Sequence, residues 1–265
     1  MNALEIGGVA ILGLCVGSFL NVVICRLPRM LESAVTQPDA SHGESLSYPA
    51  SHCPKCNTPL KIWHKIPLLS FFLLGQRCFF CKTPISWQYP LVESLNTALW
   101  LVCAWHWGLT PTALCWAFAM SFLLTLSTID WQTTYLPDAL TLPLLWLGLL
   151  ASSLGFIHVP LAQAVWGAVA GYGTLWVVAT AFAYIAGKEG MGGGDFKLLA
   201  ALGAWLGPMA LIPVVLVASI CGALVGLWMQ STQRMAQGGY LPFGPFLATA
   251  GVLEAFYGAS GIFFT

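Results

Sequence analysis

Asp130 and Asp195 are the residues of this chain best suited to do chemistry as a pair. Asp130 closes an apolar run in "LSTIDWQTTYLPDAL", and Asp195 opens another behind the glycines of "GMGGGDFKLL". A charged Asp at the centre of a bilayer costs about 3 kcal/mol, and less near the interface. Each therefore needs a reason to be there. A place at a helix end, capping it or meeting headgroups, is one such reason. Two aspartates packed face to face are another, because they cannot both ionise comfortably and so share a proton. One carboxylate then activates water while the protonated partner polarises a peptide carbonyl. That is aspartic-protease chemistry, with no covalent intermediate. Gly192, Gly193 and Gly194 suit it by letting backbone come close, leaving room for an extended strand beside Asp195. Close helix packing is the other use of such glycines. Lys197 stands two residues beyond as a supporting group, and Asp138, after Leu-Pro, reads as the N-cap of the next run.

Other hydrolytic or nucleotide chemistries find less support. H-E-x-x-H and G-x-x-x-x-G-K-[ST] are absent, and the order of G-x-G-x-x-G is not met. Ser260 in "GASG" has no His in a matching span.

The second constellation is cysteine. "CPKC" (Cys53, Cys56) and "CFFC" (Cys78, Cys81) form two C-x-x-C pairs separated by 21 residues. Four thiolates so arranged suit tetrahedral zinc, and a complete thiolate shell makes the metal a scaffold rather than a catalyst. Free thiols or two disulfides are the alternatives, the latter disfavoured in a reducing compartment. His52 and His64 lie near the first pair as spare ligands, while His42, His106 and His158 read as loop or interface residues. The remaining cysteines read as small buried hydrophobes.

The elements that position these groups are apolar runs. The chain is 58% hydrophobic and 8% charged, against about 25% charged in an ordinary soluble domain. Its mean hydropathy is +0.78. Net charge is zero, so no long-range field argues for nucleic acid. Eight spans are expected, at roughly 6–24, 91–108, 112–129, 139–157, 161–185, 196–207, 209–229 and 243–264. The sixth is too short to cross alone. With the N-terminus outside, alternation places all ten basic residues on the cytoplasmic side, Lys188, Lys197 and Arg234 included, as the positive-inside rule asks. The expected fold is an all-α polytopic membrane protein with a small zinc-binding insertion. Residues 1–25 form the first transmembrane helix, 26–90 a cytoplasmic loop domain and 91–265 the membrane-embedded domain. No internal repeat stands out. Pro242 and Gly244 in "PFGPF" are expected to keep the entry to the last span from starting as regular helix.

With Asp130, the G-x-G-D at Gly192–Asp195 and the paired C-x-x-C in view, the chain resembles the type IV prepilin peptidases. These are bacterial inner-membrane aspartic proteases. The resemblance runs through "GSFLNVVICRLP", "SHCPKC", "IPLLSFFLLG", "YPLVESLNTAL", "IDWQTTYLPDALTLPLLWLGLL", "GKEGMGGGDFKLLAALGAWLG" and "LPFGPFLA". It implies that Asp130 and Asp195 are the catalytic pair, that Asp138 is not catalytic, and that Pro242 and Gly244 line the site with Gly192 and Gly194. It also implies substrates that are prepilins or secretion pseudopilins, cut after a Gly at the cytoplasmic membrane face. Many members methylate the new N-terminus from S-adenosylmethionine, with Glu93 here a candidate polar contact. Departures fall in the loop. Gln76 precedes Arg77 where the family usually has Gly, Lys65 replaces the usual Asn, and Gln88 the usual Arg. The rival readings are a zinc-knuckle membrane assembly factor without catalysis and a transporter with broken helices. Glu254 acquires no role.

Overall fold

The structure is a computed structural model that describes residues 1–36, 45–48, 50–187, 191–232 and 241–258. Expectations for His42, Lys188, Arg234 and Ser260 lie outside the described residues. Within them the regular structure is helical: α1 (Ala3–Thr36), α2 (Leu69–Leu73), α3 (Gln88–Trp107), α4 (Pro111–Thr133), α5 (Asp138–Ser153), α6 (Leu161–Ala186), α7 (Gly193–Leu206), α8 (Leu211–Ser231) and α9 (Gly244–Tyr257). A 3-10 turn covers Ile62–Lys65. Each expected apolar run has its helix, because unpaired backbone groups are too costly in lipid for any other open structure. The chain is an all-helical polytopic membrane protein.

One bound is corrected. The first span was expected to end at residue 24, yet α1 continues through Pro28 to Thr36. Apolarity stops where Arg26 begins, but helical hydrogen bonding does not need apolar side chains. A 34-residue helix is about 51 Å long against a hydrocarbon core of about 30 Å, so its basic end extends beyond the core. By length and apolarity together only α1, α4, α6 and α8 qualify as candidate spans among the described residues. α7 has 14 residues, about 21 Å, too short for a perpendicular crossing, as expected of the sixth span.

The chain divides into two compact units, Met1–Ser121 and Phe122–Thr265. In the first, α1 lies against α3 through Gly13 and Gly17. A Cβ on either would come within 2.9 Å of the Thr97 or Glu93 Cα, so only small residues permit that approach. Two of the buried polar groups there pair across helices, as burial favours. Asn96 donates from Nδ2 to the Gly13 carbonyl at 2.8 Å, and Ser121 donates to Asn96 Oδ1 at 2.7 Å.

In the second unit α7 is the core. Its sequence, "GGDFKLLAALGAWL", is apolar almost all round and is covered by α5, α6, α8 and α9, as such a helix must be. Gly167 and Gly171 bring α6 onto the backbone of Gly203 and Leu199. Trp205 ties α7 to α5 by donating Nε1–H to the Leu144 carbonyl at 2.9 Å.

Candidate active site

Asp195 enters on the first turn of α7. Gly192, extended at ψ 145°, is the N-cap, and Gly193 and Gly194 are already helical. Two of the three glycines before the carboxylate thus start the helix. Their surroundings differ. A Cβ on Gly192 or Gly193 would meet nothing within 4 Å, whereas one on Gly194 would sit 2.7 Å from Leu136 Cβ. Gly194 is thus a packing glycine, and the open space lies beside the other two. The Asp195 side chain is buried, and its Oδ1 has no hydrogen-bond partner among the described residues.

Asp130 sits in the last turn of α4, also buried. Its Oδ2 accepts the Gly244 backbone N–H at 2.9 Å. A Cβ on Gly244 would lie 2.7 Å from that same oxygen and 3.2 Å from Leu136 Cδ1. Leu136, on the connection between α4 and α5, therefore fills the space bounded by the starts of α7 and α9. The charge of Asp130 acts directly on Asp195. The entry to the last helix is irregular at Pro242 and Phe243, as expected, and α9 begins at Gly244 with a proline in its first turn. That proline is tolerated because a first-turn residue needs no N–H within the helix and the fixed φ of proline is already helical. The first helical N–H is thereby free to meet Asp130.

Lys197 and Asp138 find each other. Lys197 Nζ donates to both Asp138 oxygens at 2.7 Å. Asp138 was expected to cap α5, but Pro137 is the N-cap and no side-chain cap is made. One residue inside the helix, the carboxylate points across to α7 and still favours the positive helix end. With side-chain exposures of 32% and 52%, the pair contributes about 0–1 kcal/mol.

The cysteines of the first unit also come together. The four sulfurs of Cys53, Cys56, Cys78 and Cys81 lie within 4.8 Å of one another, all as free thiols. Cys53 Sγ and Cys81 Sγ are 3.7 Å apart, against the edge of about 3.8 Å for a tetrahedron with a 2.3 Å metal–sulfur bond. The residues present fit a four-thiolate zinc site. Hydrogen bonds from the Thr83 side chain and backbone lower the Cys81 thiol to about 6, and Thr58 lowers Cys56 in the same way. Both favour the thiolate that a metal requires.

No internal repeat was expected, and here one exists. "CPKCNTP" and "CFFCKTP" share C-x-x-C-x-T-P, and their backbone bonds correspond. Cys53 N–H donates to Thr58 O and Cys78 N–H to Thr83 O, at 3.1 and 2.8 Å. Asn57 and Lys82 take φ 53° and 57° at the same place in each turn, and the bridges His52–Pro59 and Arg77–Pro84 close both. His52 and His64 are not among the clustered ligands. His52 Nδ1 is 3.0 Å from the Ala50 carbonyl, and the His64 ring packs 5.4 Å from Phe79.

Residues 11–107 match the bacterial peptidase A24 N-terminal domain, and residues 117–227 match the type IV leader peptidase family. A prepilin leader peptidase/N-methyltransferase of Neisseria gonorrhoeae is 45% identical over 253 residues, covering 91% of this chain and 87% of that protein. One of Pseudomonas putida is 45% identical over 257 residues, covering 94% and 89%. One of Aeromonas salmonicida is 46% identical over 269 residues, covering 95% and 90%. The chain belongs to the type IV leader peptidase family. No solved structure matches it.

As a leader peptidase the chain is an enzyme, and its membership leaves the assembly-factor and transporter readings without support. It also explains one departure. Where the family usually has Gly before the basic residue at 77, Gln76 takes φ 62° directly after Gly75 at φ 61°. A left-handed position is one that glycine occupies without penalty and other residues do not.

Proposed function

We propose that this chain is a prepilin leader peptidase of the bacterial inner membrane that cuts prepilins or pseudopilins after a Gly at the cytoplasmic face, and then methylates the new N-terminus. Asp130 and Asp195 form the catalytic pair. The observation that carries this reading is the pair of buried carboxylates, Asp130 bonded to the start of α9 and its charge reaching Asp195 on α7. The Gly244 N–H steadies one oxygen of Asp130. Among the described residues nothing bonds the Asp195 Oδ1, which leaves it to the substrate. The ionised carboxylate takes a proton from water as that water attacks the scissile carbonyl carbon. The protonated carboxyl donates to the carbonyl oxygen, and the resulting diol collapses as the leaving nitrogen takes up a proton. Gly192, whose Cβ position is open, leaves room for an extended substrate there. Gly194, Pro242, Gly244 and Lys197 support the two carboxylates through packing and the ion pair to Asp138.

Zinc, held by Cys53, Cys56, Cys78 and Cys81, would crosslink the loop and take no part in cleavage, since four thiolates leave no position for water. S-adenosylmethionine would supply the methyl group. Glu93 accepts the Leu68 N–H at 2.8 Å from a buried position, which supports a role in holding the loop rather than the donor. The test is co-expression with a prepilin. Asp130→Asn and Asp195→Asn should each insert normally and abolish leader removal; full cleavage by either variant rejects the pair.

A further inference from the structure

The zinc-binding segment exposes apolar surface that its own core does not use. In α2, "LSFFL", Phe71 is buried with its ring 5.0 Å from that of Trp87. Leu69, Phe72 and Leu73 follow helical spacing onto one outward face and are 58%, 61% and 81% exposed. Trp63, one turn earlier, is also exposed, with Lys61 Nζ 5.2 Å above its ring. The charges around them have one sign. From residue 50 to 92 the chain carries Lys55, Lys61, Lys65, Arg77 and Lys82, and no Asp or Glu.

The position of α2 is set by a strained turn. Leu68 has φ 59° and ψ −52°, and Leu69 N–H reaches back to the Pro67 carbonyl at 2.6 Å. This is a γ-turn in its rare, unfavourable hand. The Leu68 N–H, turned out by that geometry, donates to Glu93 on α3 at 2.8 Å. Such strain persists only where surrounding contacts enforce it. Here it pins the start of α2 to α3, the helix that packs on the membrane-crossing α1.

We propose that the outward face of α2, with Trp63 and the lysines beside it, docks on the headgroup region of an anionic bilayer, the same bilayer that α1 crosses. Three features point to lipid. An aromatic ring beneath an ammonium suits the interface, where Trp is enriched. A short apolar stripe with cations beside it has the composition of interfacial segments. Five positive charges without a negative one complement anionic headgroups and would not complement an apolar protein helix. The inference rests on α1 crossing a membrane and is independent of the proposed peptidase reaction.

The test uses the full chain, with zinc retained, in vesicles of phosphatidylcholine alone or mixed with phosphatidylglycerol. An environment-sensitive fluorescent amino acid replaces Leu73, and headgroup-level spin-labelled lipid serves as quencher. Lipid should quench the probe and shield it from iodide, with quenching at least about twofold greater in the anionic mixture. Lys61→Glu with Lys65→Glu should remove that excess while leaving zinc content unchanged. Free access of iodide in both mixtures overturns the proposal, and so does equal quenching in the two. Shielding from iodide without quenching by lipid also overturns it, and assigns the face to a second copy or a protein substrate.

Discussion

At the residue scale, the site depends on one missing side chain. Gly244 has space for its N–H at Asp130 only because it lacks a Cβ, which would sit 2.7 Å from Oδ2. Gly244→Ala should therefore move the carboxylate and lower prepilin cleavage by about a hundredfold, the effect of a misplacement near 1 Å. Melting temperature in detergent should change little, and proportional loss of both would reduce the glycine to packing. Gly194 behaves differently. Its neighbour is Leu136 rather than a carboxylate, so Gly194→Val should cost stability and activity together, through overpacking of about 1–3 kcal/mol. Gln76 is a third case, at φ 62°. Gln76→Gly removes a left-handed penalty of about 1 kcal/mol and should raise the chelator concentration needed to strip the metal.

The element that matters most is α7, because it carries Asp195 and has no lipid-facing side of its own. Its depth in the second unit is set by the glycines of α6. A Cβ on Gly171 would lie 2.5 Å from the Leu199 carbonyl oxygen, whereas one on Gly173 would meet nothing within 4 Å. Gly171→Val should push α6 from α7, lowering melting temperature and cleavage in step. Gly173→Val should be close to neutral, and comparable damage from both would mean that backbone propensity rather than helix approach is responsible. Apolar runs locate both helices, but run length alone does not separate α6, which is exposed along most of its length, from the buried α7. The spacing of small residues carries that information, and it becomes readable only when the facing backbone is known.

For the whole molecule, the two constellations lie in different compact units, so metal removal should affect them unequally. Structural zinc contributes on the order of 10 kcal/mol to small metal-held folds. Chelation should remove about one zinc per chain and expose amides of residues 50–86 to exchange, while those of 193–206 stay protected. Cleavage should then suffer in KM more than in kcat; equal loss of protection in both segments would contradict separate stabilisation. What the sequence by itself determined is local. Apolar runs specified helices because lipid leaves backbone groups no other partner, and C-x-x-C spacing brought paired thiols to one turn. The knuckle repeat, C-x-x-C-x-T-P in both "HCPKCNTPL" and "RCFFCKTPI", is too short for its four shared residues to stand out in the sequence, and the matching backbone bonds make it plain. Tertiary structure alone decided that the charge of Asp130 reaches Asp195, 65 residues on, that Leu136 fills the space between the starts of α7 and α9, and that Lys197 takes Asp138 from its expected cap. Those outcomes depend on how closely helices approach, which is set by side chains and missing side chains on facing surfaces and not by any pattern within a single helix.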